Sequence, residues 1–212
     1  MEIKSATFVT SMAEYTENPP ISLPQLAVVG KSNVGKSSLI NMLCNRRKLC
    51  KVSGTPGKTR LINVFLINEA FHLVDLPGYG FAKVDKAEKR RWGAMMERYF
   101  KQSTHLLHAL QLVDIRHDPT DDDVTMARYF REMGIPYTGV TTKADKISRG
   151  ARSKQLAPIC RGMLVQPWEI ISFSSEDGTG REDLLKKIDT IMTPALSAEA
   201  DCDTIMINDT TP

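Results

Sequence analysis

No apolar run in the 212 residues approaches the roughly 20 that a membrane-spanning helix needs. That excludes a helical integral membrane protein. The opening residues, Met1-Glu2-Ile3-Lys4, lack the basic start and long apolar middle of a secretory signal, which predicts a cytoplasmic protein. The C-terminal residues, Asn208 to Pro212, hold no prenylation cysteine, so no membrane anchor is expected. Cysteine is scarce: Cys44, Cys50, Cys160 and Cys202 form no C-x-x-C pair and no ligand spacing with histidine. This disfavours a zinc site or a disulfide frame and predicts reduced thiols. Histidine is equally thin, and His72, His105, His108 and His117 make no triad or ligand pattern. Only two tryptophans occur, Trp92 and Trp168, both expected to pack in the interior. There is no internal repeat, no linker that divides the chain, and no RNA-reading signature or aromatic stacking series.

What is present is the composition of an ordinary globular domain, 42% hydrophobic and 25% charged. The net charge of +3 conceals an asymmetry. Beyond Thr193 the chain carries Glu199, Asp201, Asp203 and Asp209 with no lysine or arginine, so the remainder is more basic than the total suggests. Cations gather at Arg46, Arg47, Lys48, Lys51, Lys58 and Arg60. They gather again at Lys83, Lys86, Lys89, Arg90, Arg91, Arg98 and Lys101. Such runs are either solvated faces or the electrostatic footprint of a nucleic acid, and charge alone does not separate the two.

The segment Gly30-Lys31-Ser32-Asn33-Val34-Gly35-Lys36-Ser37 fits G-x-x-x-x-G-K-[ST]. It lies between the apolar run Leu26 to Val29 and a helix-like stretch from Ser38 to Cys44. Strand, glycine loop, helix is the context of a phosphate-cradling loop. Backbone N–H groups curl round the anion, the helix N-terminus adds positive charge, Lys36 reaches the outer phosphates and Ser37 can ligate magnesium. Segments then alternate. Strands are expected at Gln25–Val29, Leu61–Ile67, Phe71–Asp75, Leu106–Asp114, Pro136–Thr141 and Trp168–Ile171. Helices are expected near Gly35–Cys44, Lys86–Phe100, Asp121–Met133, Ser148–Met163 (broken near Pro158) and Gly180–Met192. This predicts a three-layer α/β/α fold on a mixed, mostly parallel six-stranded sheet. The short connection at Asn68-Glu69 forces one antiparallel strand. Leu76 to Asp85 is expected to be a mobile loop. The acidic run Asp121-Asp122-Asp123 reads as a helix start.

Three later motifs narrow the nucleotide. Asp75-Leu76-Pro77-Gly78 ends a strand, where the aspartate can hold a magnesium-bound water and the glycine N–H can meet a γ-phosphate. Thr142-Lys143-Ala144-Asp145 follows a strand. Its carboxylate can accept two hydrogen bonds from guanine N1–H and the 2-amino group, which adenine cannot offer, while the Lys143 stem covers the base. Ser172-Phe173-Ser174-Ser175 can close over the base, with a backbone N–H on its O6. Thr55 and Thr59 both qualify as a threonine that joins magnesium when the γ-phosphate is present.

The motifs GKSNVGKS, TPGKT, DLPGYG and TKAD, in this order, resemble the TrmE–Era–EngA–YihA–Septin class of GTPases. With TPGKTRLINVF and LVDIRH added, the chain is most similar to the EngB family, also called YihA or YsxC, over about residues 5 to 192. The resemblance implies a bacterial cytoplasmic GTPase, acting on GTP and GDP, that serves assembly of the large ribosomal subunit and normal cell division and septation. It implies contact with rRNA and ribosomal proteins, and a monomer is expected. It selects Thr59 over Thr55 as second direct magnesium ligand beside Ser37, with Asp75 binding through water. It implies a GTP site of Gly30 to Ser38, Gly57, Lys58, Thr59, Arg60, Leu61, Asp75 to Gly78, Thr142 to Asp145, Phe173, Ser174 and Ser175. Domain boundaries follow at 1–24 (an extension with a short strand), 25–193 (GTP-binding) and 194–212 (an acidic, disordered tail).

Catalysis would rest on Lys36, Thr59 and Asn33. The glutamine usual just after D-x-x-G is replaced by Tyr79, so slow intrinsic hydrolysis is expected. In related GTPases with the N-V-G-K-S form, the asparagine helps hold potassium; Asn33 is either such a ligand or a plain turn residue. A signalling switch that recruits protein effectors, or an ATP-using kinase on the same loop, are the rival functions.

Overall fold

The computed structural model describes residues 1–15, 22–50, 61–80 and 86–207. Seven strands form one sheet: β1 (Ala6–Met12), β2 (Gln25–Gly30), β3 (Ile62–Ile67), β4 (Phe71–Asp75), β5 (Leu106–Asp114), β6 (Tyr137–Thr142) and β7 (Ile170–Ser172). The helices are α1 (Lys36–Leu43), α2 (Lys86–Gln102), α3 (Asp121–Glu132), α4 (Arg149–Gly162) and α5 (Arg181–Ile207). Across the sheet the order is β1-β3-β4-β2-β5-β6-β7. Only β3 opposes the rest, pairing antiparallel with both β1 and β4. The fold is the expected α/β one with a single antiparallel strand, but the sheet has seven strands where the sequence predicts six. The added strand is β1. Its residues read as β-like, yet nothing within a strand's own sequence names its partner. Within the 1–24 segment, Ala6–Met12 lines the edge of β3 as part of the sheet.

The β3–β4 hairpin turns through Asn68 and Glu69, at φ of 50° and 56°, closed by Ala70 N donating to Ile67 O at 2.9 Å. Two left-handed residues make a type I′ turn, whose twist suits a two-residue hairpin. Asn68 also ties down the N-terminus. Its Oδ1 accepts from Lys4 N at 2.7 Å and its Nδ2 donates to Glu2 O at 2.7 Å.

Every residue of β2 is buried, as a strand covered on both faces must be. Its alternation divides the core into two layers. Leu26 and Val28 pack with Leu39, Ile40 and Leu43 of α1 and Leu184, Ile188 and Met192 of α5. Ala27 and Val29 pack with Met96, Tyr99 and Phe100 of α2 and Met126 and Phe130 of α3. The two layers hold β2 rigidly, and the glycine loop hangs from its C-terminal end.

Four expectations are corrected. Helix α5 does not stop before Pro194; it continues to Ile207, so the 194–207 part of the tail is helical backbone. The apolar stripe Leu184, Ile188, Met192, Leu196 keeps helical spacing past the proline and packs on the core, which outweighs one missing N–H. Likewise α4 runs unbroken through Pro158. Residues 76–80 are not loose: Leu76 and Tyr79 are buried. Trp168, expected inside, is 81% exposed. No helix among the described residues is long and apolar enough to cross a membrane.

Candidate functional site

The loop from Lys31 to Gly35 sits where β2 ends and α1 begins, at the C-terminal edge of the sheet, where open α/β sheets bind ligands. Its turn depends on Asn33 at φ 62° and Gly35 at φ 111°, both left-handed. At Gly30 a Cβ would lie 2.8 Å from Leu112 O and 2.9 Å from Val34 Cγ1, so only glycine fits. The first turn of α1 holds no acidic residue, leaving its N-terminus free to favour an anion. Lys36 Nζ reaches back to Gly30 O at 3.4 Å. Burial holds its ammonium below the usual lysine range, against the opposing pull of Asp75.

Asp75 ends β4 and is 2% exposed. Burial pushes its carboxyl up to about 6, while the Lys36 ammonium and a hydrogen bond from Asn63 pull the other way. The Asn63 amide is itself oriented from β1, because Ser11 Oγ donates to Asn63 Oδ1 at 2.6 Å and so turns the NH2 toward Asp75. Asp75 Oδ1 is buried with no hydrogen-bond partner among the described residues. A buried acceptor left open beside the phosphate loop suits a magnesium-bound water. Gly78 is pressed on the loop, and Tyr79 turns its side chain into the core, where its hydroxyl donates to Asp123 Oδ1 at 2.7 Å. Asp123 does serve as the expected helix start: its Oδ2 accepts from Thr120 N at 2.8 Å.

The segment from Thr142 to Asp145 is joined to the loop between β2 and α1. Thr142 Oγ1 donates to Val34 O at 2.6 Å. Lys143, left-handed at φ 60°, donates its ammonium to Asn33 O at 3.1 Å and to Asp114 Oδ2 at 2.8 Å. Arg116 forks onto the same carboxylate at 2.9 and 2.7 Å. Burial works against the Asp114 charge, but Arg116 and Lys143 outweigh it and hold the carboxyl well below the usual range. Asp145 Oδ1 accepts from Ser174 Oγ at 2.7 Å and its Oδ2 pairs with Lys146 at 2.8 Å. Lys146 and Ser174 together lower its pKa, so this carboxyl is an acceptor at neutral pH. Phe173 N and Ser174 N are taken by Thr141 O and Thr179 O, so among the described residues Ser175 is the one of the three whose N–H meets no backbone carbonyl.

The structure thus brings Gly30 to Ser38, Asp75 to Gly78, Thr142 to Asp145 and Phe173 to Ser175 to one edge of the sheet. Leu61 is exposed at the start of the β3 segment. Gly57, Lys58, Thr59 and Arg60 lie outside the described residues. Sequence reasoning missed Asn63, Asp114 and Arg116; only the L-V-D-I-R-H run hinted at the last two. It also missed Asn41, whose side-chain amide brackets Cys50 through Nδ2 to Cys50 O (3.0 Å) and Cys50 N to Oδ1 (2.8 Å).

Of the basic clusters, Arg46, Arg47 and Lys48 are all exposed. On α2, Arg98 pairs with Glu14 and Lys101 with Glu97, whereas the exposed Arg90 and Arg91 make no ion pair among the described residues.

A family described as 50S ribosome-binding GTPase matches residues 25–143. The chain is 49% identical over 191 residues to the probable GTP-binding protein EngB of Heliobacterium modesticaldum, covering 89% of this chain and 93% of that protein. It is 45% identical over 192 residues to the protein of the same name from Caldanaerobacter subterraneus subsp. tengcongensis, covering 91% and 99%. Among solved structures, a probable GTP-binding protein engB superposes with a TM-score of 0.67 at 24% identity over 80% of this chain and 99% of that one, a likeness of fold. Aquifex aeolicus Era bound to GDP·AlF4− superposes with a TM-score of 0.64 at 26% identity, over 80% of this chain and 57% of that one.

Proposed function

From the premise that the chain belongs to the EngB family of GTP-binding proteins, we propose that this GTPase works as a GTP-driven switch in assembly of the large ribosomal subunit. Normal cell division depends on it through that role, and it acts in the bacterial cytoplasm. The observation that supports the nucleotide reading is the tie between Thr142 and Val34, which joins the segment carrying Asp145, read here as the guanine acceptor, to the phosphate loop.

GTP binds with its phosphates on the loop N–H groups and Lys36, and its base between the Lys143 stem and the Ser174-Ser175 segment. Asp145 would accept from guanine N1–H and the 2-amino group, trading its present Ser174 and Lys146 partners for the base. Ser37 and Thr59 would hold magnesium directly and Asp75 through water; the ion, when bound, spreads the charge of the outer phosphates. Hydrolysis needs in-line attack by water, and the Tyr79 hydroxyl is already committed to Asp123. Slow intrinsic turnover follows.

The exposed cations Arg46, Arg47, Lys48, Arg90 and Arg91 would meet rRNA phosphates in the subunit precursor, since among the described residues none of them makes an ion pair. Depletion of the protein in cells, followed by ribosome profiles on a sucrose gradient, tests the assembly role. Accumulation of immature large subunits supports it and normal profiles overturn it. For Asn33, potassium binding and a turn role both stand, the second favoured by its left-handed φ of 62°. Turnover in matched potassium and sodium chloride separates them, equal rates leaving only the turn.

A further inference from the structure

Tyr79 is held from two directions. Its side chain is buried: the hydroxyl donates to Asp123 Oδ1 at 2.7 Å, Gln111 Nε2 sits 3.5 Å from the hydroxyl and donates to Asp123 O at 2.8 Å, and Trp92 meets the ring edge-on at 5.8 Å. Its backbone is held by the phosphate loop. Ser32 N donates to Tyr79 O at 2.9 Å and Tyr79 N donates to Gly30 O at 3.3 Å, a parallel bridge between the loop and the residue after Gly78. Gly78 is drawn in as a result. A Cβ there would stand 2.9 Å from Ser32 N and 3.0 Å from Lys36 Nζ.

Those two groups, a loop amide and the loop ammonium, are what a terminal phosphate needs. The Ser32 N–H cannot serve both Tyr79 O and a γ-phosphate oxygen at full strength, and Gly78 fills the space between the two donors. GDP makes no such demand on the outer end of the loop. We propose that Tyr79 is a positioning residue that sets the discrimination between GTP and GDP: its bond to Asp123 latches Tyr79 O onto the Ser32 amide, and GTP must open that latch to seat its third phosphate. The proposal rests on the GTP reading above. Trp92 is the second tie, because its Nε1 donates to Pro77 O at 3.1 Å, on the other side of Gly78. Since Trp92 belongs to α2, opening the latch strains or shifts the helix that carries Arg90 and Arg91.

Tyr79→Phe keeps the ring and removes the hydroxyl bond. Calorimetric titration of the variant with GDP and with a non-hydrolysable GTP analogue, both with magnesium, should shift the affinity ratio about fivefold toward the analogue, the worth of one buried hydrogen bond. A purely structural role would weaken both nucleotides alike, so an unchanged ratio overturns the latch. A second measurement does not depend on that variant's folding. Trp168→Phe leaves Trp92 as the sole tryptophan of the two in the chain. Its emission should differ between the analogue-bound and GDP-bound protein, and identical spectra overturn the proposal. If neither nucleotide binds the unaltered protein, the GTP reading falls and the latch with it; if both bind with no difference in ratio or emission, only the latch falls.

Discussion

Thr142 Oγ1 lies 2.6 Å from Val34 O, joining the end of β6 to the middle of the glycine loop across 108 residues of chain. The same hydroxyl sits 3.2 Å from Val113 O, so it stands between β5, β6 and the loop. The two halves of the nucleotide site are therefore one rigid unit, and a change at this hydroxyl should be felt by every guanine nucleotide.

Thr142→Val keeps the shape and removes the donor. Stability should fall by about 1–3 kcal/mol, and affinity for GDP and GTP should fall together by roughly tenfold, because a buried carbonyl loses its partner. Calorimetric titration with each nucleotide, beside urea unfolding, checks it. A loss confined to GTP would contradict the bracing role.

Asp145→Asn replaces an acceptor by an amide. Guanine affinity should drop roughly 100-fold or more, since guanine presents donors to that side. Xanthine nucleotides, which carry an oxygen at C2, should bind the variant better than the parent. Competition between GDP and xanthosine diphosphate on the two proteins measures the exchange.

Asp75 gives a pH dependence of defined sign. Its folded-state carboxyl titrates near 6, raised by burial, so the stability it contributes is present below the ordinary carboxylate range and is lost as pH rises through about 6. Magnesium needs the ionised form. Its apparent affinity should be flat above pH 6 and fall about tenfold per unit below it. Magnesium titrations of the GDP complex between pH 5 and 8 read this directly, and a flat profile would remove Asp75 from the metal shell.

His108 behaves in the opposite sense. Burial, and then Lys187, lower its pKa to about 4, and its Nε2 meets Thr138 Oγ1 at 2.9 Å. A depressed base supplies stability that is full above its unfolded pKa and is lost as pH falls toward 4. Between pH 6.5 and 4 the loss from this group should approach about 3 kcal/mol. His108→Gln should flatten that part of a urea-unfolding profile taken against pH.

Much of the site was legible because its motifs encode backbone chemistry that travels with the sequence. Gly30 and Gly35 are required by close approach and by a left-handed turn. Asp75 ends β4, and Asp145 follows the end of β6 by three residues, as their motifs lead one to expect. The hairpin at Asn68-Glu69 was legible for the same local reason. Asn63, Asp114 and Arg116 were not, since each acts on a partner whose proximity only the folded sheet creates. The proline at 194 misled because a local rule was set against a packing stripe, and packing won. Tyr79 was read for the glutamine it replaces, while its bond to Asp123 spans 44 residues and has no sequence signature.

The pairing of β1 with β3 bears on the order in which the molecule can be built. Asn68, which holds the backbone of Lys4, is made 64 residues after it. During synthesis the first strand leaves the ribosome with no partner in existence, while β3 and β4 can close their hairpin as soon as they emerge. Loop closure over such a distance comes late and costs entropy before it returns contacts. The Ser11 hydroxyl that orients Asn63 arrives with that strand, so the hydrogen bond Asn63 gives Asp75 reaches its final form only when Ala6–Met12 has folded back onto β3.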